Sequence, residues 1–525
     1  MNSIRSHSSL LETPTRPMAA WSRWPAWLFV FCLGCSTPPS AQTSADALGL
    51  DDSGQAVVLD GGPSGDVAST DTALSDTVVG DTAAVDAAAV DTAGVDTAAG
   101  DVPPADAKGP GALQPDPAPT GAMQPIPGQL SIHQLDLPMG LVPKLGEAAI
   151  VIGPDGTLAL LDVGNSNHDD EVRAAVIALN TTVLTPKRGY PRQRADREVE
   201  WVVLTHNHGD HIGAAAALLE GKGALQITRG VVHRGHVDLG AGANLDRWAD
   251  LCAALHSAQK GRDFGLCASS SVPACDAKLL SGASPATGCP GLRIGKLDDP
   301  SDDATGAPTW LDLGGGARLT LIAANARCTG AGAATGVLTF GHSDSNEENA
   351  RSLVGLVSFG AFRYHFGGDL TGSGAAGEPD VESLLVTTSG PRFWSAEGVD
   401  VVHAHHHARK TSSNVALVAA LTPKDGHSRN VVAGINSAYL GSPNSAVVSR
   451  FTADGRLGAG RFWVTTSAVG GATTSDAPQL VVVKGEVRLR TFAAGQGYRA
   501  QGWGAASKLS LAFASVRSGQ VLGSP

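Results

Sequence analysis

The sequence has no apolar run long enough to cross a bilayer as a mature helix. Such a helix needs about 20 apolar residues, and the run Trp24–Leu33 stops well short of that. A helical membrane channel is excluded. Cationic charge is not in excess: 38 Lys and Arg face 50 Asp and Glu. A global basic surface of the kind that binds nucleic acid is therefore missing. Aromatic residues are absent from residues 36–128, so that stretch has little with which to build a core. Between residues 245 and 328 no two cysteines stand at C-x-x-C spacing, which argues against a cysteine metal site there.

The first residues read as an address. Arg16 and Arg23 precede the short apolar run, and Leu33-Gly34-Cys35-Ser36 has the form of a lipoprotein cleavage box. Residues 1–35 are read as a lipoprotein-type signal peptide with Cys35 as the lipidated residue. The alternative is an ordinary cleaved signal. The expected location is the cell envelope, periplasmic or at the cell surface. A lipid anchor would be the only membrane contact, and without lipidation the protein would be secreted.

Residues 36–128 are rich in Ala, Asp, Thr and Pro. Aspartate recurs every five residues from Asp66 through Asp71, Asp76 and onward to Asp106. A period of five fits neither helix nor strand. Such a composition cannot offset its ordering entropy by burial, so a disordered, self-repelling spacer is expected. The spacer also accounts for the acidity. Residues 41–128 sum to −13 and residues 1–40 to +2, leaving −1 for the rest. The total charge therefore says nothing about what the folded part binds.

Residues 129–525 have ample apolar content for a core. One stretch organises them: His206-Asn207-His208-Gly209-Asp210-His211, an H-x-H-x-D-H array. The short, mostly apolar run Val199–Leu204 before it predicts a buried strand, and the Ala/Leu-rich Ile212–Leu219 after it predicts a helix. In an extended segment His206 and His208 point the same way, and Gly209 lets the backbone turn before Asp210 and His211. Neutral imidazoles with a carboxylate at this spacing suit zinc or a similar divalent ion. Four such donors cannot all converge on one ion, which implies two adjacent metals.

This array resembles the signature of the metallo-β-lactamase-fold hydrolases, a superfamily that includes glyoxalase II, ribonuclease Z and the extracellular domain of ComEC-type competence proteins. Ala148–Ile152 and Thr157–Asp162 read as a hairpin ending in Asp162-Val163-Gly164, where the resemblance implies an aspartate supporting the ligands from behind. Asn349-Ala350-Arg351-Ser352-Leu353, a hairpin about Phe359–Phe362 and Gly367-Gly368-Asp369 are most similar to the ComEC-type subgroup. So is His406-His407, although Ala408 and Arg409 stand where that pattern has Gly and Ser.

The resemblance implies an α/β protein, a four-layer αβ/βα sandwich. It implies a metal-dependent hydrolase using a metal-activated hydroxide, with two zinc ions and manganese or iron as alternatives. His206 and His208 would hold one ion, with His342 as third donor. Asp210, His211 and His406 would hold the other, and Asp369 would bridge; Asp210 and Asp369 are the catalytic candidates. Asn349 is a neutral stand-in for the third histidine, and His407 is the alternate to His406. Arg409 and Lys410 lie at the edge, where they could meet phosphate or simply be solvated. His233 and His236 read as structural.

The implied substrate is a small-molecule or nucleic-acid phosphodiester or related ester; no protein partner is expected. The alternative is a degenerate binding protein that keeps the fold without turnover. Residues near 245–295 read as an insertion carrying Cys252, Cys267, Cys275 and Cys289, with Cys328 following. In an exported protein disulfides are expected, with the pairing open and one cysteine left over.

Overall fold

The computed structural model describes residues 118–137, 146–235, 243–258, 263–265, 309–329, 335–337, 345–374, 378–425, 427, 429–434, 442–465, 480–505 and 507–517. The expected signal peptide, the spacer up to residue 117, and Cys267, Cys275, Cys289, His236 and His342 lie outside them. Among the described residues no helix is long and apolar enough to cross a membrane.

The described residues form two sheets. Six strands open the first: β1 (Ser131–Gln134), β2 (Ala149–Ile152), β3 (Leu158–Leu161), β4 (Glu198–Leu204), β5 (Gln226–His233) and β6 (Asp263–Gly265). The second holds β7 (Trp310–Asp312), β8 (Arg318–Ala324), β9 (Arg327–Thr329), β10 (Thr335–Val337), β11 (Val354–Phe359), β12 (Phe362–Phe366), β13 (Val401–His403), β14 (Asn430–Ala433), β15 (Phe462–Val464) and β16 (Leu480–Val482). The chain then returns to the first sheet as β17 (Gly485–Thr491), β18 (Gly497–Gly504) and β19 (Ser510–Ala514). The first sheet runs β19-β18-β17-β1-β2-β3-β4-β5-β6. The second runs β10-β9-β8-β11-β12-β13-β14-β15-β16, with β7 on β8.

Side-chain alternation explains the core. Val151, Ala159, Leu161, Trp201 and Val203 of the first sheet share one apolar cluster with Leu319, Leu321, Val357, Phe362, Tyr364, Val401 and Trp463 of the second. Their sequence neighbours Ile150, Ile152, Leu158, Leu160 and Val202 turn to the other face and pack with Val172, Val176, Leu218 and Leu251 from helices. On the second sheet Leu356, Val402 and Val431 do the same against Leu385, Leu417 and Val448. Strands buried on both faces read as continuous apolar runs, as β4 does from Trp201 to Leu204.

The expected hairpins are present: β2 pairs antiparallel with β3, and β11 with β12. The single helix expected over Ile212–Leu219 is two, Gly209–Ile212 and Ala215–Leu219. The break falls at Gly213 and Ala214, where a Cβ on Gly213 would lie 2.7 Å from Ser166 N and 2.3 Å from Gly209 O.

Topology places the site. β3 and β4 are parallel, and so are β12, β13 and β14. Parallel neighbours end at the same edge, and in open α/β sheets that edge is where sites form. The residues just after β3, β4, β12, β13 and β14 are Asp162, Thr205–His211, Gly367–Asp369, Ala404–His407 and Gly434. Cys252 is buried in the helix Ala243–Ala258, and Cys328 is a free, buried thiol.

Candidate metal centre

Each imidazole here is oriented by its back side. Asp162 sits at the end of β3 with φ 54°. Its Oδ1 accepts the backbone N–H of Thr205 at 2.7 Å, and its Oδ2 accepts the Thr205 hydroxyl at 2.8 Å. The same Oδ2 lies 2.8 Å from His211 Nδ1. A carboxylate accepts, so His211 keeps a proton on Nδ1, which leaves Nε2 as the nitrogen a metal would take. The Thr205 hydroxyl, having donated to Asp162, accepts from His206 Nδ1 at 3.1 Å. His206 therefore also presents Nε2. One aspartate thus sets the tautomers of two histidines.

His407 is held in the same way by Glu147 and the Gly434 carbonyl, each 3.0 Å from its Nδ1. The other Glu147 oxygen is 2.5 Å from His403 Nε2. Glu147 and His403 were not among the residues singled out in the sequence. Ala149 opposite Leu161 in the β2–β3 register puts the start of β2 beside the end of β3, which is how Glu147 arrives.

On the front side the donors gather into two groups. His206, His208 and Asp369 form one, and Glu147, His211, Asp369 and His407 form the other, with all donor atoms of a group within 4.8 Å of one another. Asp369 belongs to both. His206 Nε2 lies 3.1 Å from His208 Nδ1 and 3.7 Å from Asp369 Oδ2. His211 Nε2 lies 3.1 Å from Asp369 Oδ1 and 3.4 Å from His407 Nε2. Asp210 Oδ2 is 3.1 Å from His407 Nε2 and 3.8 Å from His211 Nε2. Tetrahedral donors around zinc at about 2.05 Å stand roughly 3.3 Å apart, so these spacings suit one ion per group. Glu147 already meets His407 through the far nitrogen, so Asp210 is the better-placed carboxylate of the second group.

His406 stands one step away. Its Nε2 is 3.7 Å from Asp369 Oδ2, but Asn349 Nδ2 at 3.4 Å and Arg409 Nη1 at 3.3 Å also converge on it. The structure therefore brings His407, rather than His406, into the four-donor group. His233 is buried, with its Nδ1 accepting the Gly235 N–H at 3.1 Å.

The chemistry of the donor set fits divalent cations. His206, His208, Asp210, His211, Asp369 and His407 are each at most 8% exposed. His208 Nε2 and Asp210 Oδ1 are buried without a hydrogen-bond partner, a costly state for polar atoms that a cation relieves. Burial opposes the charge on Asp369, yet His211, His407 and His406 hold its carboxyl well below the usual range. Burial likewise opposes a charged His211, but Asp369, Asp210 and Asp162 raise it well above the ordinary imidazole value. Asp369, Asp210 and Glu147 do the same to His407. Burial and the neighbouring His211 charge lower His206. Glu147, despite burial, is pulled down to about 2 by His403 and His407.

Residues 142–268 match the metallo-beta-lactamase superfamily model. That segment holds Glu147, Asp162 and the whole His206–His211 loop, and it ends before Asp369 and His407 join them. No curated protein matches the chain.

Proposed function

We propose that this protein is an exported metal-dependent hydrolase with a two-metal centre of the metallo-β-lactamase kind, on a four-layer αβ/βα framework. The observation that carries the reading is Asp369, shared by both donor groups. His206 and His208 would hold one ion, and Asp210, His211 and His407 the other; zinc suits this nitrogen and oxygen set, with manganese or iron as alternatives. Paired divalent ions supply a water that ionises near neutral pH and offset charge developing on a substrate oxygen.

The chain's own residues do the rest. Asp162, Thr205 and Glu147 fix the imidazole tautomers. Burial excludes bulk water. Half-buried Arg409 places N–H donors at the rim beside His406, and Asn349, fully buried, meets the same ring from within. Donors at the rim favour an anionic substrate, and with the motif likeness to competence-type domains this points to a phosphodiester or related ester. Fold alone does not choose the chemistry. The N-terminal cleavage box supports export and a lipid tether.

One observation favours a second reading, a degenerate binding protein. Among the described residues the first donor group holds two histidines and the shared Asp369, with no third histidine, a set that can hold a cation without supporting turnover. The test is metal content together with hydrolysis of a chromogenic phosphodiester. Two equivalents with turnover support the hydrolase. Two equivalents without turnover on phosphodiesters and carboxylic esters favour the binder.

A further inference from the structure

The loop that carries His407 is a strained piece of chain. His406, His407 and Ala408 take φ of 49°, 50° and 59°, and Ser413 takes 49°. Non-glycine residues in the left-handed region persist only where the surroundings hold them. What holds this loop lies beneath it. Glu382, fully buried on the helix Val381–Thr388, accepts from His405 Nδ1 at 2.7 Å and from the Ser413 N–H at 2.7 Å through one oxygen. Its other oxygen accepts the Asn414 N–H at 2.6 Å. One carboxylate therefore grips the loop at both ends.

Two glycines around Asp369 make room for this arrangement. A Cβ on Gly367 would fall 2.3 Å from His405 Nε2, and one on Gly372 would fall 2.1 Å from Glu382 Oε2. His405 Nε2 in turn lies 3.0 Å from His365 Nε2 on β12. With Nδ1–H given to Glu382, His405 accepts there, and the chain Glu382–His405–His365 ties the loop to the strand leading into Asp369.

We propose that Glu382 is a positioning residue for the metal centre, clamping residues 405–414 so that His407 faces Asp210 and Asp369. The proposal rests on the metal-centre reading, because what is positioned is a metal donor.

The test uses the full chain, with Glu382→Gln and Gly372→Ala as independent variants. The amide of Gln turns a donor toward at least one group that must donate; the added Ala methyl displaces the carboxylate without removing it. Amide hydrogen exchange is followed in residues 405–414 and in β4 and β12, and cobalt(II) uptake is followed by its visible absorption. The expected result is faster exchange confined to 405–414 with β4 and β12 unchanged. One cobalt site should weaken by about 10–100-fold with an altered spectrum, and the other should be retained. Unchanged exchange in both variants overturns the clamp. Faster exchange with unaltered cobalt affinity and spectrum overturns the positioning role. A wild-type chain that takes up no cobalt overturns the metal-centre reading itself, and the positioning role with it.

Discussion

Asp162 and Glu147 do parallel work on two histidines that arrive from different sheets. Each meets an Nδ1 and leaves an Nε2 for the front of the site. This makes a sharp distinction between adjacent residues. His407→Ala should remove one of the two metals and abolish turnover. His406→Ala should keep both metals. Equilibrium dialysis with elemental analysis of both variants checks this, and equal losses would show that the assignment is wrong.

The same contacts set a pH dependence. His211 and His407 are raised well above the ordinary imidazole value, so without metal they hold protons at neutral pH. A cation must displace those protons, and apparent metal affinity should therefore rise with pH and fall as pH drops. Calorimetry in buffers of different ionisation enthalpy should show proton release on binding; no release would contradict the raised values.

At this scale the H-x-H-x-D-H array, Asp162 and Asp369 were legible, because spacing or strand-end position marks them. Glu147 and His403 were not. A lone carboxylate before a strand has no partner in sequence, and only the β2–β3 register brings it to the edge. The choice between His406 and His407 was also closed to sequence, since it turns on which ring meets Asp210 and His211 and which meets Asn349 and Arg409.

Among elements, the strand ends do the assembling. The loop after β4 comes from the first sheet and Asp369 from the second, so something must join the sheets beneath the site. Arg234, just after β5, is fully buried and pairs with Glu348 on the helix Ser345–Asn349. Glu348 also accepts the backbone N–H of Asn207 at 2.7 Å, between the two histidines. Removing one partner of a buried pair strands the other charge, at a cost of about 3–5 kcal/mol. Arg234→Met should therefore lower unfolding stability by that amount in a urea titration. A loss under ~1 kcal/mol would mean the pair is not a structural joint. The strands and hairpins were readable from apolar runs and turn residues. This joint was not, because Arg234 and Glu348 are far apart in sequence and each alone reads as a solvated charge.

For the molecule as a whole, two packed sheets bring the segments after β3, β4, β12, β13 and β14 to one edge, and no segment alone holds a complete site. Residues 142–268 carry the recognisable signature, but the residue common to both donor groups lies beyond it at Asp369. Metal content of the full-length chain, measured beside Asp369→Asn, tests this most directly. The account predicts close to two equivalents of divalent metal in the wild type, with uptake at both sites impaired in the variant. One equivalent or none in the wild type, or two in the variant, would contradict a centre built on a shared aspartate.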